Sequence, residues 1–348
     1  MNTGLDQYMD IFKDAVEDSA AKLTKSFEKI LIEVIILFMV IPRKINFTQM
    51  GRYGSHVEQT YRNAFGLKKS KSIDWLKLNV SLAKRFFGKQ GRWAIAIDPS
   101  YISKAGKKTP HIGRFWSGLL KLSTLIVADA YFSTSTFVNG IKKEGFSLIS
   151  RFRDNACLFY VYAGPRTGKR GRPKTKDGKI DMKNLDLTRM EKMEMKDIEG
   201  TAYTLIAYSK ALRCKVRLVI WQMPNGKKKL FFSTDTSLSG EEVLLYYRTR
   251  FQIEFCFRDA KGYTGLMDCQ ARDKWKLDFA FNASFTSLNV AKVTMKEMGM
   301  EYSMSSFKSL MTNIYLVKRI FKASGYTPNR TLISKIFKDL SCLQRIAA

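Results

Sequence analysis

Three carboxylates in this 348-residue chain stand where they could do chemistry. Asp98 closes the short apolar run WAIAID (93–98) and is followed by Pro99; Asp129 closes a second, TLIVAD (124–129). Runs of this length, rich in β-branched residues, read as buried strands, so each aspartate sits where core gives way to cleft. The third is Glu254, inside SGEEVLLYYRTRFQIEFCFRDAK (239–261). If the three converge, their mutual repulsion calls for a cation among them, and hard oxygen ligands favour Mg²⁺ or Mn²⁺. Two such ions can activate a nucleophile and stabilise a leaving oxygen in phosphodiester chemistry. Taken singly, each aspartate also reads as a turn former or helix cap.

The element carrying Glu254 is predicted to be one helix. Ser239 followed by Glu242 is a capping box that starts it. At 100° per residue, Tyr247, Arg250, Glu254, Arg258 and Lys261 fall within an arc of roughly 80°. Leu245, Tyr246, Ile253, Cys256, Phe257 and Ala260 fall opposite and are the expected buried face. A solvated charged face would show the same pattern.

Tyr247, Arg250, Glu254 and Lys261 match the spacing Tyr-x2-Arg-x3-Glu-x6-Lys. This resembles one branch of the bacterial insertion-sequence transposases, whose DDE triad sits on an RNase H-like fold. The segments IDPSYISKAGKK, VADAYFS, FSLISRFR, RGRPK, FFSTD and DCQAR are similar to that branch too, and the resemblance runs from about Leu31 to about Lys292. It implies that Asp98, Asp129 and Glu254 hold Mg²⁺ (or Mn²⁺), and that Tyr247, Arg250 and Lys261 hold DNA phosphates. Arg258 joins them from its place on the helix face. The implied reaction is metal-dependent cleavage at the element's ends, freeing a 3′-hydroxyl that attacks target DNA. The implied partner is double-stranded DNA, ends and target, with a homodimer in the DNA complex and no small-molecule cofactor. A structure-specific nuclease on the same fold fits less well, because nothing in that class calls for the Tyr, Arg and Lys at these offsets.

The chain departs from the family in one respect. Two strands and a helix should separate the first two catalytic aspartates, which with the strand ending in the second and its connections needs about 42 residues. Asp98 and Asp129 lie only 31 positions apart, and roughly the first twenty of those read as loop. The expectation is an internally deleted member joined near Ser117–Leu120. Its sheet would expose an edge that invites aggregation, so the alternative to a working transposase is a catalytically impaired member that binds DNA without cleaving it.

Composition agrees with a nucleic-acid partner. Lys plus Arg number 60 against 31 Asp plus Glu, a formal charge of +29, which points to a polyanion, with DNA ahead of an anionic membrane surface. Five scattered cysteines with no CxxC pair and two histidines argue against a structural zinc site, and the odd cysteine count against a disulfide framework. The acidic, polar start carries no secretory pattern, and the longest apolar run is too short to span a bilayer. A cytoplasmic protein is expected.

Along the chain, a helix is predicted from Asp6 to about Ile41, ended by Pro42. A helix–turn–helix follows, from Asn46 to Tyr53, Gly54, then Ser55 to Phe65, with a second capping box from Ser55 to Glu58. Its second helix presents Gln59 and Arg62 to a major groove, or simply packs. A basic linker and an amphipathic helix come next. Beyond the core, LFYVYAG, AYTLIAYS, KVRLVIWQM and KKLFFST read as strands, with PNG as a turn. Between the first two of these, RTGKRGRPKTKDGK (166–179) centres on Arg170, Arg172 and Lys174. It reads either as an AT-hook in a minor groove or as a basic loop touching phosphates. Helices are predicted over 279–298, 303–324 and 329–345. The expected fold class is α/β: an RNase H-like catalytic core, missing two strands and a helix, with a β-rich insertion and helical N- and C-terminal regions. The divisions are 1–90 (helical, DNA-binding), 91–154 (first part of the core), 155–235 (insertion with basic loop), 236–300 (rest of the core with the Glu254 helix) and 301–348 (helical).

Overall fold

The computed structural model describes residues 4–66, 71–88, 94–97, 124–165, 174–194 and 199–329, with 331–333, 335, 336 and 339. These fall into two compact units, one of 4–88 with 256 onward, the other of 94–97 with 124–255.

The N-terminal helices are α1 (Gly4–Asp18), α2 (Lys25–Val40), α3 (Phe47–Tyr53), α4 (Glu58–Ala64) and α5 (Trp75–Phe87). The single helix expected from Asp6 to Ile41 is thus two. Ala20 takes φ +52°, and the Thr24 hydroxyl accepts from the Phe27 amide, starting a new helix there. Nearly every apolar side chain of α2 is buried, as its broad apolar face requires. The helix–turn–helix forms, but its second helix begins at Glu58 and the Ser55 capping box does not: Val57 is the N-cap, with no side-chain bond. Glu58 instead accepts from the Thr48 hydroxyl at 2.9 Å and pairs with Arg62. The Ser55 amide is taken by Glu33 of α2 at 2.6 Å. Burial alone would raise the Glu33 carboxyl; bonds from Ser55, Tyr61 and His56 hold it below its ordinary value. Gly54 is required at the turn, because a Cβ there would lie 1.9 Å from the Tyr61 hydroxyl.

The second unit is a mixed sheet. Its strands are β1 (Ala94–Ile97), β2 (Leu125–Ala128), β3 (Ser147–Arg151), β4 (Leu158–Val161), β5 (Lys176–Lys179), β6 (Glu191–Met193), β7 (Thr201–Ser209), β8 (Cys214–Gln222) and β9 (Lys228–Ser233). The order among the described residues is β1-β2-β3-β9-β8-β7-β4-β5, with β6 also pairing β7. The first three strands are parallel and the rest antiparallel. Two helices belong to it, α6 (Ser135–Lys143) and α7 (Gly240–Thr249). The pleat sends Ile126 and Ala128 to a core with α6's Val138 and Ile141. It sends Leu125 and Val127 to a second core with α7's Val243, Leu244 and Tyr247. This is the mixed α/β architecture, with helical termini, that an RNase H-like core requires. After Asp129 the chain makes a 3-10 turn (Ala130–Phe132) before α6 begins at Ser135.

The stretch from Ser239 is not one helix. The capping box forms as expected, but α7 ends at Thr249 and α8 runs Gln252–Tyr263. Between them the amides bond three residues back, Arg250 to Tyr247 and Phe251 to Arg248, a 3-10 tightening that resets the helical phase. The straight 100° projection therefore misassigns the first half. Tyr247 and Arg250 are buried against the sheet, and Leu245, expected inside, is 60% exposed.

Two further helices return to the first unit, α9 (Lys274–Glu297) and α10 (Met304–Ser324). The α9 helix begins five residues earlier than predicted, because Asp273 caps it through the Trp275 and Lys276 amides. The helix expected over 329–345 falls largely outside the described residues. Lys308 of α10 is buried and donates to the Tyr263 carbonyl, at the C-terminus of α8, and to the Phe38 carbonyl at 3.5 Å. Burial, partly offset by Asp268, pushes its ammonium down to about 8 from 10.5. A lysine depressed in the fold binds fewer protons than in the unfolded chain between those values, so stability falls as pH drops from 10.5 toward 8. Relative to Lys308→Met, urea unfolding of the native protein should therefore show a gain on the order of 2 kcal/mol between about pH 7.5 and 9.5. An equal slope in both proteins would count against it.

Candidate active site

The site begins where β2 ends. Asp129 Oδ1 accepts from the Tyr131 amide at 2.9 Å, and the Asp129 carbonyl accepts from the Ser150 hydroxyl of β3 at 2.8 Å. The adjacent strand β1 runs parallel with Ile97 opposite Ala128. Asp98 follows Ile97 in the chain and lies outside the described residues.

Asp129 opens onto a cleft of about 560 Å³ within the sheet unit. Its wall includes Arg151 at the end of β3, Trp221 of β8, Lys229 of β9, and Tyr247, Arg248, Arg250 and Phe251 at the α7–α8 junction. The sheet register sets several of these: Arg151 faces Phe231, and Trp221 faces Lys229, whose ammonium lies 5.2 Å from the indole centroid. Tyr247 packs on Phe231 with centroids 4.8 Å apart. The Arg250 guanidinium lies 5.1 Å from the Phe251 ring and donates to Glu254 Oε1 at 3.2 Å. The Arg250 side chain is 10% exposed and that of Glu254 50%, so the pair joins a buried cation to a carboxylate open to solvent. Four cations, one carboxylate and aromatic walls make a cleft suited to a polyanion with flat, stackable groups.

The chain matches the family described as "Transposase DDE domain" over residues 107–290, more than half its length. It belongs to the DDE transposases. No curated protein matches it. The matched span contains Asp129 and Glu254 and begins after Asp98. DDE transposases act on DNA and normally use divalent metal ions.

Of the residues singled out in the sequence of this transposase, the structure gathers Asp129, Tyr247 and Arg250 in one cleft, with Glu254 tied to it through Arg250. Arg258 and Lys261 follow Glu254 along α8. Arg258 pairs with Asp259 at 3.0 Å, and the Lys261 ammonium lies 5.9 Å from the Phe257 ring. Gln59 bonds Asn63 at 2.8 Å, and Arg62 covers Phe47. Lys174 pairs with Asp177 and covers Tyr162; Arg170 and Arg172 lie outside the described residues. Arg151, Trp221, Lys229 and Arg248 are cleft residues that the sequence reading passed over. Arg248 adjoins the signature and could have been found there; strand pairing alone brings the others in.

The donors fit a hard divalent ion in kind. Asp129 and Glu254 offer carboxylate oxygens, Asp129 at the cleft and Glu254 open to solvent. Among the described residues no three metal-ligating side chains come together. No helix among them is long and apolar enough to cross a membrane.

Proposed function

We propose that this transposase cleaves insertion-sequence ends and transfers the freed 3′ strand to target DNA, with Asp98, Asp129 and Glu254 as its catalytic carboxylates. The observation that carries the reading is the parallel register of β1 and β2: Ile97 faces Ala128, and in the sequence each is followed by an aspartate. Asp98, Asp129 and Glu254 would hold Mg²⁺ or Mn²⁺, which when bound supplies charge neutralisation on the transferring phosphate and activates the attacking oxygen. Around it, the chain's own residues position DNA. Arg250, held at Glu254, and the exposed Lys261 and Arg258 clamp non-bridging oxygens, while Tyr247 is fixed by Phe231. Gln59 and Arg62 contact the element's end, and Arg170, Arg172 and Lys174 follow the DNA backbone from the insertion. The working complex on DNA is a homodimer in the cytoplasm. The five divisions read in the sequence are its functional parts.

A second reading has its own support. β1 is the last strand on its side of the described sheet, and its four residues are only partly buried where those of β2 are fully buried. With the short Asp98–Asp129 interval, this favours an internally deleted member that occupies ends without cutting them. One experiment separates the two: duplexes built from the DNA flanking the reading frame, incubated with the full chain and Mg²⁺. Nicking at the element boundary supports the catalytic reading. A retained gel shift with no nick selects the second.

A further inference from the structure

We propose that Asp259 is a positioning residue: it holds the Arg258 guanidinium in the orientation that receives a DNA phosphate, with Tyr302 as its anchor. The inference rests on the reading of the Glu254–Arg258–Lys261 face as DNA-binding. Asp259 is 1% exposed, yet both of its oxygens are engaged. Oδ1 accepts from Arg258 Nε and a terminal nitrogen at 3.1 and 3.0 Å, and Oδ2 accepts from the Tyr302 hydroxyl at 2.6 Å. Consecutive helix residues do not face each other, so this fork requires the arginine to fold back across α8. Its side chain nevertheless remains 64% exposed.

The arrangement joins a solvent-facing cation to a buried carboxylate, and burying a carboxylate is costly unless something is gained. What the pair achieves is a fixed guanidinium plane. A long cation already held in place loses less freedom when a phosphate arrives. Tyr302, in the loop between α9 and α10, lies under Lys292 and fixes the carboxylate from the far side. Burial and Asp259 together hold its phenol proton on.

The test turns on sign. Neutralising an acid near DNA should tighten binding by simple electrostatics; removal of a positioning residue should weaken it. Affinity of the full chain for a duplex from the flanking DNA is measured against salt concentration for the native protein, Arg258→Ala, Asp259→Asn and the double variant. Arg258→Ala should weaken binding about fivefold or more and reduce the log–log salt slope by about 0.9. Asp259→Asn should also weaken binding, by roughly threefold, and cost nothing further once Arg258 is gone. Tyr302→Phe, which removes the bond that anchors the Asp259 carboxylate, should act in the same direction if Asp259→Asn proves too unstable. Tighter or unchanged binding by Asp259→Asn beside a weakened Arg258→Ala overturns the inference and spares the DNA-binding face. An equal penalty from Asp259→Asn in both backgrounds overturns it as a general structural effect. An unaffected Arg258→Ala removes the reading of the face itself, and the inference with it.

Discussion

Replacing Glu254 by glutamine should lower Mg²⁺-dependent nicking of end-bearing DNA by on the order of a thousandfold, while DNA affinity stays within about twofold. The substitution is nearly isosteric. The glutamine amide oxygen can still accept from Arg250, so the bond that ties Glu254 to the α7–α8 junction survives. Glu254 is half exposed, and its loss of charge removes no packing. What disappears is a negative, hard ligand, and with it the ability to complete a divalent-ion site. The affinity term is small because the glutamine keeps the bond to Arg250 and because Arg151, Lys229, Arg248 and Arg250 still line the cleft. Single-turnover nicking beside a gel shift separates the two quantities. Undiminished nicking would remove Glu254 from the triad, and a parallel loss of affinity would make it a binding residue instead.

Much of this fold is written in local pattern. The runs ending in Asp98 and Asp129, the FSLISRFR strand and the four apolar strands of the insertion are legible because alternation and β-branched residues mark them. The PNG turn is legible from Gly226, which takes φ +75°. The two strands missed, KDGK and EKM, are short and polar; they exist because β4 and β7 offer unpaired edges. The Ser239–Lys261 stretch failed in a more instructive way. Its composition suits a straight helix, and the break at Arg250 is tertiary: Val243, Leu244 and Tyr247 fill the space over β2, β3 and β9, and the chain turns to keep them there. The same limit applies to the site. Asp129 announces itself, whereas Trp221, Lys229 and Arg151 become neighbours only through register across β8, β9 and β3, which no local window contains.

Phe279→Ala should destabilise the helical unit by about 3–5 kcal/mol and leave the sheet unit nearly untouched. Phe279 is fully buried, 4.1 Å from the Phe65 ring and 5.3 Å from the Trp75 ring, the latter edge-on. Phe65 in turn meets Phe47 at 5.0 Å and stacks on Phe38 at 6.5 Å. One ring on α9 thus supports α2, the helix–turn–helix and the start of α5, and its removal leaves a cavity that four helices would have to move to fill. The buried cores of the sheet unit share no residue with this cluster. Calorimetry should therefore show the transition of the helical unit falling by roughly 10 °C, at a few degrees per kcal/mol, with the sheet transition in place. End binding, proposed above to draw on Gln59 and Arg62, should be lost at that lower temperature. A single transition displaced as a whole would mean that the two units unfold as one, and a displacement below about 2 °C that the aromatic cluster closes the cavity by itself.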